Sequence, residues 1–90
     1  MHMEIEWDAD KAVANFKKHG VRFEEAATSL LDPQARAQED VDSEGEARWL
    51  LVGMSASARL LTVVYTLRDE DRIRVISARK ATRKEAQYYA

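Results

Sequence analysis

The sequence predicts a small α+β domain in which two N-terminal helices pack on one face of an antiparallel sheet. Apolar residues recur at helical spacing in the first third of the chain, whereas three later segments are rich in apolar and β-branched residues and are separated by short turns. A short helix ends the chain, so the predicted order is β-α-α-β-β-β-α. The 90 residues fit one domain, 1–90.

The first strand and helix are predicted from local pattern. Residues 4–7 alternate polar and apolar side chains, which is typical of a short strand. Asp8 follows as an N-cap, and Gly20 is suited to the left-handed conformation that closes a helix. Between them, four apolar residues recur at helical spacing: Ala9, Ala12, Val13 and Phe16.

A second helix is predicted from about Phe23 to Leu31. Its buried stripe consists of Phe23, Ala26, Ala27, Leu30 and Leu31. Asp32-Pro33 ends it, because the residue before a proline avoids helical geometry.

The remaining segments indicate a sheet and a last helix. Residues 35–39 are a weak strand candidate, and residues 40–46 form an acidic turn. Residues 48–54 and 60–67 contain consecutive apolar pairs, which favours strands covered on both faces. Residues 72–77 largely alternate. Thr82 and Glu85 have the spacing of a capping box at the start of the final helix.

Composition restricts the possible functions. The absence of cysteine excludes thiolate zinc sites and cysteine nucleophiles, and it suits a cytoplasmic protein. No apolar run approaches the roughly 20 residues that cross a bilayer, so we expect no membrane contact. Residues 1–47 carry five Lys/Arg and twelve Asp/Glu, whereas residues 48–90 carry nine and four. A basic C-terminal half is able to attract phosphates, although lopsided charge is also common in proteins without such a role.

One polar group lies on the first predicted helix. Asp8, Lys11, Asn15 and Lys18 are spaced three, four and three residues apart, so they share one helical stripe. The stripe is interpreted either as an ordinary solvated face or as a polar strip facing RNA or a partner.

A second group consists of cations in the C-terminal half: Arg48, Arg72, Arg74 and Arg79, followed by Lys80, Arg83 and Lys84. The planar guanidinium fork matches phosphate oxygens. Arg72 and Arg74 point to one face of the last strand, where they either bind phosphate or discourage aggregation at an outer strand. In a regular strand Arg79 points to the other face, unless a bulge or the strand end near Ser77 changes this. Arg79 either binds phosphate or anchors the last helix through a carboxylate such as Glu85.

Few other side chains are candidates for catalysis or ligand binding. His19 is a candidate general acid or base, or a structural residue before the capping Gly20. Tyr65 is a core residue or, like Tyr88 and Tyr89, a residue able to stack on a base. We expect no metal site and no cofactor. His2 is given no functional weight, and His19 alone, in a chain without cysteine, does not form a dedicated transition-metal site.

Several spaced motifs resemble a known family in the right order. The opening, Trp7-Asp8-x-x-Lys11-x-x-x-Asn15-x-x-Lys18-His19-Gly20-Val21-x-Phe23-Glu24-Glu25-Ala26, is similar to that of BrnT toxins. Arg48, Val52-Gly53-Met54-Ser55, Val64-Tyr65-Thr66 and residues 72–81 resemble its middle and close. The resemblance covers nearly the whole chain and is weakest at about 35–46. Arg22 departs from a serine that often caps the second helix in the family, and the turn at residues 69–71 is slightly long.

The resemblance implies a RelE-like fold and a ribonuclease toxin that inhibits translation. It also implies a BrnA-like antitoxin as partner, which neutralises the toxin and alone contacts operator DNA. For metal-independent RNA cleavage we expect Arg48 and Arg79 to stabilise the phosphate, with Arg74 as a further contact. The candidates for the general base are Lys11, His19 and Tyr65. The remaining cations, Arg72, Lys80, Arg83 and Lys84, are expected to bind nucleic acid. The alternative is a module that binds an antitoxin or nucleic acid without cleavage.

Overall fold

The computed structural model describes residues 3–40 and 47–89. Its elements are β1 (Glu4–Glu6), α1 (Ala9–His19), α2 (Phe23–Leu30), β2 (Arg36–Asp40), β3 (Arg48–Met54), β4 (Leu60–Asp69), β5 (Arg72–Lys80) and α3 (Arg83–Tyr89). The α+β class is confirmed, and β2 adds one strand to the predicted order. This strand is the weak candidate at 35–39; residues 41–46 of the predicted acidic turn lie outside the described residues.

The five strands form one mixed sheet in the order β1-β5-β4-β3-β2. The four later strands are antiparallel, as predicted, but β1 pairs in parallel with β5, with Ile5 opposite Ile73. Residues 7–71 separate the two strands, so local sequence patterns contain no signal for their pairing. The expectation of a purely antiparallel sheet is therefore corrected.

The first two helices pack on one side of the sheet, which we call the helix-covered face. Its core consists of Val21, Phe23, Ala26, Leu61, Val63, Val75 and Ala78. The Trp7 ring meets the Phe23 ring edge-on, with centroids 6.0 Å apart. The helix ends follow the predictions: Asp8 accepts hydrogen bonds from the amides of Asp10 and Lys11, and Gly20 has a φ of 71°. Within the part of the chain that the structure describes, the Arg22 side chain forms no cap hydrogen bond at the start of α2.

The apolar face of α1 is less buried than its sequence predicts. The Val13 side chain is 57% exposed and Phe16 is 41% exposed, with the Arg22 guanidinium 4.3 Å from the Phe16 ring centroid. Asn15, predicted to be part of a polar strip, is buried instead. Asn15 hydrogen-bonds to Ala78, on the part of β5 that lies beyond its pairing with β1, and this contact leaves Val13 and Phe16 partly exposed.

The other side of the sheet, which we call the open face, is only partly open. Helix α3 lies over it, because the Glu85 carboxylate accepts hydrogen bonds from the Thr62 hydroxyl and from Arg79. Cross-strand pairing brings Leu50 and Val64 side by side on this face, where both are partly buried.

A bulge in β5 sets the direction of the C-terminal arginines. Val64 pairs with Ser77 but Tyr65 pairs with Val75, which leaves Ile76 as the additional residue. The shift places Arg79 on the open face, where it pairs with Thr62. The regular-strand expectation, which placed Arg79 on the opposite face from Arg74, is therefore wrong.

No helix in the described ranges is long and apolar enough to cross a membrane.

Candidate functional site

A pocket with several cationic side chains lies on the open face, and we call it the basic pocket. Its volume is about 260 Å³, and it is lined by Lys11, Arg48, Thr66, Arg68, Arg74, Val75 and Ile76. The adjacent strands β3, β4 and β5 form its floor. Thr66 in β4 is paired with Arg74 in β5. Because Tyr65 is paired with Trp49, the next residues along, Thr66 and Arg48, also lie side by side. Lys11 comes from the first turns of α1 and forms the side wall.

Carboxylates lie beside the arginines on the β1 side of the basic pocket. Arg74 Nη1 lies 3.9 Å from Glu6, while Arg72 lies 3.5 Å from Glu4 and 3.6 Å from Glu6. These pairs are exposed, so each contributes little stability. The pKa of Asp8 is lowered, chiefly by hydrogen bonds from the amides of Lys11 and Asp10 and to a lesser extent by the charges of Lys11 and Arg74. Glu4 and Glu6 therefore partly neutralise Arg72 and Arg74 from the β1 side.

Thr66 is the unusual residue of the pocket. It is fully buried, and its hydroxyl oxygen has no hydrogen-bond partner within residues 3–40 and 47–89. A buried hydroxyl without a partner costs roughly 1–3 kcal/mol. Cationic side chains surround this hydroxyl. The ligand that satisfies it best is therefore an anion with oxygen acceptors, since the hydroxyl donates to the anion and the cations neutralise its charge.

A second depression adjoins the basic pocket, and we call it the α1 pocket. Its volume is about 240 Å³, and its lining includes Lys11, Lys18, His19, Ile76 and Ser77. Lys11 and Ile76 line both depressions. The structure thus brings Lys11 and His19 to neighbouring sites at the border between α1 and β5.

Tyr65 lies apart from these residues. By the alternation of β4 it shares the helix-covered face with Val63, and it is only 8% exposed. Burial raises the pKa of its phenol above the ordinary value. This placement separates Tyr65 from the basic pocket and favours the interpretation of a core residue.

Arg79 forms a bidentate ion pair with Glu85. Its two terminal nitrogens donate to Glu85 Oε1 at 2.7 Å and Oε2 at 2.8 Å. Glu85 also accepts from the Thr82 amide, and its own amide donates to the Thr82 hydroxyl, so the predicted capping box is confirmed. The Arg79 guanidinium lowers the pKa of Glu85 to about 2. These contacts match the interpretation of Arg79 as the anchor of α3.

The other predicted cations are dispersed. Arg72 is held by acids at the β1 edge, whereas Lys80, Arg83 and Lys84 are exposed near α3. Thr66 was not among the predicted site residues, because residues 60–67 were predicted to be covered on both faces, and Arg68 lies beyond the predicted end of that strand. The signal for Thr66 was present: Thr62 and Thr66 are polar positions four residues apart in an otherwise apolar strand, so they share one face.

The sequence also matches a known protein family. Residues 7–85 match a family model described as the ribonuclease toxin, BrnT, of a type II toxin–antitoxin system. The chain belongs to the BrnT family. The match includes every strand and helix except β1 and the last residues of α3. BrnT is thus a ribonuclease toxin family whose type II systems also contain an antitoxin.

The fold of this BrnT chain is also found in a solved structure. It is similar to the crystal structure of the Brucella abortus ribonuclease toxin, BrnT, with 24% sequence identity and a TM-score of 0.66. The match covers 90% of this chain and 99% of the Brucella chain. No curated protein sequence matches. At this identity the likeness establishes the shared α+β fold; the RelE-like relationship stays a prediction.

Proposed function

We propose that this BrnT chain is an endoribonuclease that cleaves RNA without a metal ion and that its basic pocket binds the scissile phosphate. The observation that carries the proposal is the convergence of Lys11, Arg48 and Arg74 around the Thr66 hydroxyl, which has no partner among the described residues. Cationic side chains in one pocket supply the positive charge that a phosphoryl group needs when its charge increases in the transition state.

The proposed reaction is an internal transfer within RNA. The 2′-oxygen attacks the adjacent phosphorus while the bond to the 5′-oxygen of the next nucleotide breaks, which leaves a 2′,3′-cyclic phosphate and a 5′-hydroxyl. A base accepts the 2′-hydroxyl proton, and an acid returns a proton to the leaving oxygen, so the net proton count is unchanged. Arg48 and Arg74 bind the non-bridging oxygens, and the Thr66 hydroxyl donates to one of them.

Two of the three proposed bases stay compatible with this pose. Lys11 lines the basic pocket itself, and His19 borders the adjoining α1 pocket. Tyr65 is disfavoured because it lies on the helix-covered face. Arg79 acts through α3 in this proposal, as a positioning residue held by Glu85 rather than as a phosphate ligand.

The RNA is proposed to run from the α1 pocket into the basic pocket. Both depressions share Lys11, and Lys18 adds a cation two helical turns along the same stripe. Consecutive phosphates of a single strand repel one another, so a row of cations favours an extended chain at this border. Arg83 and Lys84 extend the positive charge on the α3 side.

The partner is proposed to be a BrnA-like antitoxin in the cytoplasm, since type II toxins are held by a protein. Operator DNA is contacted only through that antitoxin. A partner that binds the folded toxin also stabilises it by mass action.

RNA cleavage in the presence of EDTA tests the proposed chemistry. We expect purified wild type to cut RNA with 5′-hydroxyl and cyclic-phosphate ends, and Arg48→Ala and Arg74→Ala to cut about a hundredfold more slowly. Arg22→Ala is the matched control, because it removes one exposed guanidinium far from the basic pocket, beside Phe16. Intact RNA with folded wild type, or equal cutting by all four proteins, contradicts the proposal.

Expression in bacteria separates a toxin from a module that binds without cleavage. A ribonuclease toxin arrests growth, and co-expression of its antitoxin relieves the arrest. Arg48→Ala should abolish the arrest while still binding RNA detectably. If wild type binds RNA but neither cuts it nor arrests growth, the chain is a non-enzymatic binding module.

A further inference from the structure

A third depression lies beneath α3, and we call it the α3 pocket. Its volume is about 560 Å³, within the usual range for sites that enclose a small molecule or a group of that size. It is lined by Gln38, Leu50, Val52, Lys84, Glu85, Gln87 and Tyr88, and the Glu85 carboxylate is neutralised by its ion pair with Arg79. Leu50 and Val52 form an apolar floor in β3, and α3 supplies one wall.

The α3 pocket continues from the basic pocket along β3. Arg48 and Leu50 are two residues apart, so they point to the same face with their backbones about 7 Å apart. Gln38 is the cross-strand partner of Leu50 and lines the same depression. A phosphate bound by Arg48 therefore lies close to the apolar floor of the α3 pocket, which has polar groups at its rim.

The wall formed by α3 is fixed in place. Glu85 binds Arg79 and Thr62, as described above, and the Tyr89 hydroxyl donates to Asp32 at 2.7 Å. The Tyr88 hydroxyl makes a longer contact of 3.4 Å with the Ala37 carbonyl in β2. These contacts hold the rim before any ligand arrives, which lowers the entropic cost of binding.

We propose that the α3 pocket binds the base of a nucleotide whose phosphate occupies the basic pocket, and that Gln38 and Gln87 select that base. The inference rests on the proposed ribonuclease function. A nucleobase has flat apolar faces and an edge with both donors and acceptors. Leu50 and Val52 match the faces, Tyr88 provides a ring for stacking, and each glutamine amide offers a donor and an acceptor.

This pattern favours a base over an apolar side chain of a protein partner. Gln38, Lys84 and Gln87 are exposed at the rim, so they stay hydrated around an apolar side chain, which gains no hydrogen bond from them; a base exchanges that water for hydrogen bonds to the two amides. Lys84 is free to pair with a flanking phosphate.

Nucleotide binding tests the α3 pocket without requiring cleavage. The probes are the four nucleoside 3′-monophosphates and ribose 5-phosphate, titrated into the full-length wild-type chain. We expect one nucleotide to bind at least about tenfold more tightly than ribose 5-phosphate, and Gln38→Leu with Gln87→Leu to remove that advantage. Equal binding of all five probes overturns the inference, whether or not the protein cuts RNA.

The distribution of cleavage sites gives the second readout. Sequencing of RNA ends from wild type should show one base enriched about tenfold at a fixed position beside the cut. The Gln38→Leu, Gln87→Leu double variant should lose this enrichment. Gln34→Leu is the matched control, because it removes an exposed amide outside the α3 pocket and should leave rate and preference unchanged. Unaltered preference in the double variant overturns the inference, as does loss of antitoxin binding without a change in base preference. Failure of wild type to cut any RNA refutes the proposed function instead.

Discussion

The side-chain amide of Asn15 pairs with both backbone groups of Ala78. Asn15 Nδ2 donates to the Ala78 carbonyl at 2.9 Å, and the Ala78 amide donates to Asn15 Oδ1 at 3.1 Å. The register of β1 with β5 ends at Arg74, so the asparagine takes the place of a neighbouring strand further along β5. This docking fixes the rotation of α1 and directs Lys11 and Lys18 towards the border of the open face.

Asn15→Ala should therefore destabilise the fold strongly. It leaves the Ala78 amide and carbonyl without this partner, and it also removes the bond to the Val21 carbonyl at 3.0 Å. Because buried backbone groups without partners are costly, we expect a loss of about 2–4 kcal/mol in the free energy of unfolding, measured in urea. Lys17→Ala, an exposed change on the same helix, should cost less than about 0.5 kcal/mol. Similar effects of both changes contradict the role assigned to Asn15.

Thr66→Val should separate stability from activity. The two side chains are nearly isosteric, and the threonine hydroxyl has no partner among the described residues, so valine should raise the free energy of unfolding by about 1 kcal/mol. The same change removes a donor to the scissile phosphate and should slow RNA cleavage about tenfold or more. Thr66→Ser is the control that keeps the donor. A Thr66→Val protein that cuts RNA at the wild-type rate contradicts the proposed phosphate contact.

Lys18 and Lys17 form a matched pair for the RNA path. They are consecutive in α1, but Lys18 lines the α1 pocket whereas Lys17 lines the groove beside Phe16. Affinity for a 2′-O-methyl RNA, which lacks the attacking hydroxyl, should fall with rising salt. Lys18→Gln should reduce the slope of log affinity against log salt by about 0.7, whereas Lys17→Gln should not change it. Equal slopes for the two variants refute the proposed path.

The ion pair of Glu85 predicts a pH dependence of stability. Its folded pKa of about 2 lies below the ordinary value of 4.5, so the carboxylate stabilises the fold above its unfolded pKa and loses that contribution as the pH falls towards 2. The side chain is 20% exposed, and we expect a contribution of about 1–3 kcal/mol. The stability difference between wild type and Glu85→Gln should narrow between about pH 5 and pH 2. Glu24→Gln, an exposed change, is the control. A difference that stays constant over this range contradicts the prediction.

Local sequence rules predicted much of the secondary structure and the charge that the open face presents. Asp8, Gly20 and the Thr82–Glu85 capping box act through neighbours within four residues, so their partners are visible in the sequence. The same holds for Asp32-Pro33, which ends α2. Periodicity also gave the α+β class, because the helical and strand patterns repeat over short windows.

Only the tertiary structure decided which of these residues meet. The pairing of β1 with β5, the bulge at Ile76 and the Asn15–Ala78 contact all join positions far apart in the chain or depend on strand register, which periodicity does not encode. They turn Asn15 inward, place Arg79 on the open face against Glu85, and gather Lys11 and Arg48 around Thr66. The sequence by itself determined the family and the elements; the long-range pairings decided which cations form the basic pocket.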